Sequence, residues 1–345
     1  MIRRQNIFLI IFGAVSVALI VLSGNLFTES LPVKNSEKMR RAEDLARNWM
    51  NIIRQEKESR HLISHEAHHF PSEALLGEEM TELTTTLGSL EAKRVSVNPQ
   101  FAALVVLWIT ELQLDSSDEV LVASSGSFPG LMVSTLAALQ TMNQRTLLMT
   151  SLGASTFGAN QPSMTILDIE TLLEKKGGLR YRSRLVTYGC DDDNGVGFYD
   201  GGKEAADSSA ARNNIQLWKP VDLSHSIQER LRIAKEHHIT AVINIGGNQA
   251  MLGNCVHASS IPNGLHRSLT SCLHEDRGVL LHLAEAGIPV IHFLDIKELG
   301  LRNGITDSFD ISSALYHSRT TGRSVSAVAI LLLVGMVFWL RRIKK

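Results

Sequence analysis

Cysteine is scarce: three in 345 residues, Cys190, Cys255 and Cys272. That is too few for a disulfide scaffold, and the odd count leaves a thiol unpaired. A surplus of positive charge is also missing. The two ends hold Arg3, Arg4, Arg323, Arg341, Arg342, Lys344 and Lys345, so positions 23–322 carry 27 basic residues against all 35 acidic ones, a formal balance of −8. A domain that adsorbed polyanions through its overall field would be basic. Nucleic acid is therefore not an expected partner, and any anion contact must be a local site. There is no internal repeat and no low-complexity segment. The Gly-x-Gly-x-x-Gly fingerprint is absent where Gly246-Gly247-Asn248 follows an apolar run, so no dinucleotide is implied.

Long apolar runs are confined to the two ends. Ile7–Leu22 carries no charge, follows Arg3 and Arg4, and reaches spanning length when extended to Phe27. Ser23, Gly24 and Asn25 fit a cleavage pattern only loosely, which favours an uncleaved anchor. Ser324–Leu340 runs through Trp339 into a basic tail. By the positive-inside rule both termini are cytoplasmic. The expected organisation is a cytoplasmic stretch (1–6), a transmembrane helix (7–27), a juxtamembrane helical segment (28–76), an extracytoplasmic domain (77–322), a second transmembrane helix (323–340) and a cytoplasmic tail (341–345).

Between the ends, apolar runs alternate with helical stretches. Glu119–Gly130, EVLVASSGSFPG, reads as a strand ending in small and hydroxyl residues; Leu131–Met142 has helical length. Thr146–Ser151, Arg184–Tyr188, Thr240–Ile245 and Ile288–Leu294 read as further strands. Helices are expected over Ser36–Arg60, Gln100–Leu114, Pro162–Lys176, Ser224–His238 and Arg277–Ala286. The first of these would rise from the membrane, with Leu45, Trp49, Ile52 and Ile53 on its apolar face. Gly77–Arg94 reads either as a helix with a capping threonine and a solvated basic end, or as a stretch whose Thr84–Thr86 hydroxyls and Lys93 and Arg94 hold a carboxylate or phosphate. The expected fold class is α/β, a mostly parallel sheet with helices on both faces, plus a transmembrane helix at each end.

Several motifs carry chemistry on paper. His65-Glu66-Ala67-His68-His69 matches the His-Glu-x-x-His zinc pattern, but Pro71 follows too closely for the helix such a site needs, so a His-rich turn is expected. Asp191-Asp192-Asp193 reads as a solvated turn, or as a cation or acid–base site; it lacks EF-hand spacing. Outside the cytoplasm Cys255 and Cys272 can bridge. They also belong to two Cys-x-His pairs, whose spacing is not that of a zinc finger. No metal or cofactor is expected.

Four segments, GEEMTELTTTLGSLEAKR (77–94), NPQFAALVV (98–106), SSGSFPG (124–130) and SLGASTFGANQPSMTILDIETLL (151–173), resemble the poly-gamma-glutamate system protein family, membrane-anchored accessory proteins of bacterial capsule operons. The likeness runs from about Gly77 to about Leu294. It implies a part in synthesis, export or retention of the polymer at the cell envelope, with the synthase subunits and the anionic γ-glutamyl chain as partners. It supplies no catalytic residues, so candidate sites come from local chemistry alone.

Two classes stay open. In a binding protein, Ser125, Gly126 and Ser127 would face a cleft at the strand ends, lined by Thr85, Thr86, Ser151, Ser155, Gly246 and Asn248. Lys93 or Arg94 would supply a counter-charge. In an envelope hydrolase or transferase acting on γ-glutamyl amides, Ser127 would be the nucleophile, His292 the base and Asp191 or Asp295 the orienting acid. Against the second stands the context of Ser127, which has Ser125 and Pro129 where a nucleophile elbow needs glycine.

The expected topology is testable. In a background with the native cysteines replaced, Ser208→Cys should react with an impermeant maleimide added to whole cells. A protected Ser208 beside an externally reactive C-terminal tag would overturn it.

Overall fold

Every residue of Glu119–Ser125 is buried, the pattern of a strand covered on both faces in a parallel sheet. The architecture follows from that strand. The structure, a computed structural model, describes residues 28–67, 70–254, 261–269, 277–307 and 313–321. Both expected transmembrane helices, His68, His69, Cys255 and Cys272 lie outside these residues. No single helix among the described residues is long and apolar enough to cross a membrane.

In chain order, β1 (Thr28–Pro32) precedes helix α1 (Ser36–Ser59), and a 3₁₀ turn (Pro71–Leu75) leads to β2 (Thr84–Thr86), α2 (Leu90–Ser96) and α3 (Gln100–Leu112). Next come β3 (Glu119–Ser125), α4 (Pro129–Met142) and β4 (Arg145–Ser151). Three two-residue strands follow, β5 (Ala154–Ser155), β6 (Asn160–Gln161) and β7 (Met164–Thr165), then α5 (Ile166–Leu172), β8 (Ser183–Thr187) and α6 (Gly202–Arg212). The remainder is α7 (Leu223–Glu236), β9 (Ala241–Ile245), α8 (Gln249–Leu252), β10 (Gly264–His266), α9 (Val279–Glu285), β11 (Val290–Phe293), α10 (Ile296–Asn303), α11 (Ser313–Tyr316) and β12 (His317–Thr321). The chain divides into two units. One contains β1 and β12, paired antiparallel with Thr28 opposite Thr321; the other is Lys34–Ser312.

The second unit is built on a six-stranded sheet in the order β10-β11-β9-β3-β4-β8. Its strands are parallel except β10, which runs antiparallel to β11. The five parallel strands thus step outward from β3 through β4 to β8, then return to the other side of β3 with β9 and β11. The direction reverses between β3 and β9, the switch point of a doubly wound sheet.

Helices cover both faces. On one, Leu121, Ala123, Leu147, Met149, Leu185, Val242 and Val290 form a single cluster with Ala234 of α7 and Leu280 and Leu283 of α9. On the other, Phe293 meets Phe101 edge-on at 6.1 Å and Trp108 at 5.5 Å, both on α3. Each large apolar side chain buried this way contributes about 1.5–3 kcal/mol.

Three expectations need correction. Helix α1 packs on α3 and α4, so it belongs to the α/β unit and is not a separate stalk. Its buried face is Met39, Ala42, Ala46, Trp49, Met50 and Ile53; Leu45 and Ile52 are only half-buried. Gly77–Arg94 is not one helix. Thr84–Thr86 pairs parallel with β5, and α2 starts only after Ser89, whose hydroxyl accepts the Ala92 N–H at 3.3 Å. The helix expected from Pro162 begins at Ile166, where Thr165 and Asp168 form a capping box; Pro162 sits in the β6–β7 hairpin.

Trp49 tests the packing of α1. It is fully buried and its indole N–H donates to the Gly177 carbonyl at 2.7 Å. Trp49→Ala should lower the unfolding free energy of the domain by about 3–5 kcal/mol in urea titrations. An independent stalk helix would leave it unchanged.

Candidate functional site

Strand alternation explains why polar groups gather at one edge of the sheet. The face that carries Leu121, Leu147, Leu185, Val242 and Val290 carries Ser125, Ser151, Thr187, Asn244 and His292 further along the same strands. The carboxyl ends of the parallel strands therefore turn from apolar to polar together. Beyond them, at the reversal between β3 and β9, lies a cavity of about 760 Å³.

Seven of the expected ligand residues line it: Thr85, Thr86, Ser125, Ser127, Ser151, Ser155 and Asn248. Asp191 and Asp295 line it too, as do Gln249, Asn254, Cys190 and Lys297. Gly126 and Gly246 shape the wall instead of lining it. A Cβ on Gly126 would stand 2.8 Å from the Leu152 carbonyl oxygen. Gly246 has φ +89°, and its Cβ would come within 2.7 Å of Ser125 Oγ.

Lys93 is not the exposed counter-charge the sequence suggests. Its side chain is 1% exposed and sits behind the wall. Nζ donates to the Ser127 carbonyl, lies 2.7 Å from Ser155 Oγ and is 4.1 Å from the centre of the Phe128 ring. Burial pushes its amine down to about 7. Arg94 is turned away, toward Glu66 and Glu73. Among the described residues, the lining cation is Lys297, which is paired with Glu91.

The aspartate run is a solvated turn only in part: Asp191 is exposed and Asp192 half-buried. Asp193 is fully buried and forms an ion pair with Arg230 of α7 at 2.7 Å, itself 2% exposed. Thr187 Oγ1 donates to Asp193 Oδ1 at 2.8 Å and Ser226 Oγ to Oδ2 at 2.7 Å. Asn248 Nδ2 reaches both Asp193 Oδ1 at 3.0 Å and Ser151 Oγ at 2.9 Å. Asn248 Oδ1 accepts the Met251 N–H and starts α8. The loop bends through left-handed φ at Cys190, Asp192 and Asp193, strained for non-glycine residues and held by these bonds. One buried pair thus joins β8, the Asp loop, α7 and the end of β9.

The expected triad does not assemble. His292 is fully buried on β11, its Nδ1 is 3.1 Å from Asn244 Nδ2, and burial with the neighbouring His266 pushes its pKa down to about 4. Ser127 Oγ instead accepts the Ser155 N–H at 3.0 Å. Asp295 caps α10, accepting the Glu298 N–H at 3.1 Å. Cys190 is half-buried and its thiol is pushed up to about 12 by burial, with Asp191 and Asp193 adding to the effect. That thiol is a poor nucleophile. His65 lies in a turn with its side chain 92% exposed.

Comparison of the chain with protein-family models, with curated proteins and with solved structures found no match.

The Asp193–Arg230 pair invites a double-mutant cycle. Arg230→Met should cost about 3–5 kcal/mol by leaving a buried carboxylate unpaired. Adding Asp193→Asn should restore part of that loss in urea titrations, so the two effects do not sum.

Proposed function

We propose that the chain is a membrane-anchored accessory protein of poly-γ-glutamate synthesis, export or retention, whose α/β domain holds a segment of γ-glutamyl chain in the cavity at the β3–β9 reversal. The polymer assignment stands on the resemblance of the four sequence segments. The binding role stands on one observation, the hydroxyl- and amide-lined cavity at the carboxyl ends of parallel strands.

The lining suits an amide more than a free anion. Ser125, Ser127, Ser151, Thr85 and Thr86 bring hydroxyls to the lining, and Gln249 and Asn254, bonded to each other at 2.5 Å, keep further amide donor and acceptor capacity. Asp191 and Asp295 are acidic and Lys297 is already paired. Recognition would therefore rest on the γ-amide links, with the α-carboxylates of the chain left toward solvent. Leu87, 86% exposed, adds an apolar edge that fits the methylene groups between those links. Synthase subunits are the natural protein partners in this reading, since both ends of the chain are assigned to the same membrane.

Titration calorimetry of the detergent-solubilised full chain with oligo-γ-glutamate tests it. Binding is expected, with weak salt dependence because the contacting groups are uncharged. Thr86 is exposed at the cavity, so Thr86→Trp should fill the space and weaken binding about tenfold or more. A folded wild type that gives no heat, or equal affinity for both, removes the proposal.

A further inference from the structure

Lys93 and Ser155 hold chemistry that the binding role does not use. Their side chains meet at 2.7 Å, Nζ to Oγ, and no ion pair to Lys93 forms among the described residues. A neutral amine has two N–H groups and one lone pair. Nζ donates to the Ser127 carbonyl and, as an ammonium, to Ser155 Oγ; in the neutral amine the same 2.7 Å contact allows the lone pair to accept the Ser155 hydroxyl proton. This is the arrangement of a nucleophile, a base within hydrogen-bond reach, and a third group that orients the base. With the amine held at about 7, its neutral form is well populated at neutral pH.

The surroundings agree. Ser155 lines the cavity, and its N–H is fixed on Ser127 Oγ at 3.0 Å. Gly88 stands against both partners. A Cβ there would lie 3.1 Å from Ser155 Oγ and 3.2 Å from Lys93 Cε, so a larger residue would crowd the pair. The fourteen-residue helix α4 begins at Pro129, next to the cavity-lining Phe128, and brings the positive end of its dipole to the same wall.

We propose that Ser155 and Lys93 form a serine–lysine pair that transfers acyl groups from amides or esters bound in the cavity. Lys93 Nζ takes the Ser155 hydroxyl proton as Oγ bonds to the substrate carbonyl carbon, and the carbonyl electron pair moves to its oxygen. Collapse breaks the bond to the leaving amine or alcohol, which receives the proton from the Lys93 ammonium. Water, or a second amine, then attacks the acyl-serine. Lys93 takes its proton and returns it to Ser155. With water the products are an acid and the released amine or alcohol; with a second amine, a new amide and the released amine or alcohol. The pair's chemistry is independent of the ligand. That the natural substrate is a γ-glutamyl amide rests on the reading above.

The probe is p-nitrophenyl acetate with the detergent-solubilised full chain. A burst of p-nitrophenolate is expected, with the acetyl group mapped by mass spectrometry to Ser155. The acylation rate should rise with pH through one ionisation near 7, the value at Lys93. Ser155→Ala should remove burst and adduct. Lys93→Met, with folding checked by circular dichroism, should slow acylation by about a hundredfold or more and flatten the pH profile. Should that variant not fold, Ser155→Ala and the wild-type pH profile still decide. A wild type that is not acetylated on Ser155, a pH-independent rate, or undiminished acetylation in folded Lys93→Met overturns the proposal. A burst without calorimetric binding of oligo-γ-glutamate keeps the pair and removes the polymer; binding without a burst does the reverse.

Discussion

The Asp193–Arg230 pair is the constraint on which the cavity depends. Both groups are withdrawn from water, so each needs its full set of hydrogen bonds to offset desolvation. Thr187, Ser226 and Asn248 complete that set for Asp193. These partners come from β8, α7 and the turn after β9, and β8 and β9 lie on opposite sides of β3 in the sheet. Satisfying one carboxylate thus ties the outer strand to the far side of the reversal. The same Asn248 amide reaches Ser151, so the geometry of the cavity floor follows from the buried charge.

Much of the fold was legible in the sequence. Five apolar runs ending in Ser, Gly or Asp became the five parallel strands, because a strand buried on both faces must be apolar along its length. Their small and hydroxyl ends gathered at one cavity because parallel strands align their carboxyl ends. The strand order was not legible, since no local signal says on which side of β3 the strand β9 inserts. Helix α6 carries no clear periodic signal, because Gly202–Arg212 is short, polar and rich in Ala and Ser, with few buried side chains. The sequence does not show that α1 belongs to the α/β unit, because amphipathicity shows that a helix has a buried face but not what covers it.

The site was legible by position and not by chemistry. In sequence, Lys93 beside Arg94 and Asp193 within an aspartate run both look like accessible charges. Neighbouring charges in sequence point to different sides of the backbone, so a run does not fix exposure. A weak signal for Arg230 existed. Leu223, Ser226, Arg230 and Ala234 share the buried face of α7, with small residues one turn to either side of the arginine. An arginine framed by small and apolar residues at helical spacing needs a buried acid, and Asp193 is the acid it meets.

Burying Lys93 weakens the fold at neutral pH, and the sign of that effect bears on why the residue is there. Its amine is near 7 in the folded chain against 10.5 for a free lysine, with burial as the cause. Between those values the unfolded chain binds the extra proton, so stability rises with pH across that window. Below it the fold carries the whole cost of desolvating the ammonium. A methionine would fill the same volume at less cost and would still pack on the Phe128 ring. Lys57, equally buried and also near 7, lies beside Glu78 and donates to the Leu76 carbonyl at 2.8 Å, which is sufficient to account for a structural amine. Lys93 is held instead by a carbonyl and by a hydroxyl that opens onto the cavity. A structural clamp needs only donors, and a charged lysine supplies those best. Desolvation shifts Lys93 toward the neutral amine, the form a base requires, and its Nζ lies 2.7 Å from Ser155 Oγ.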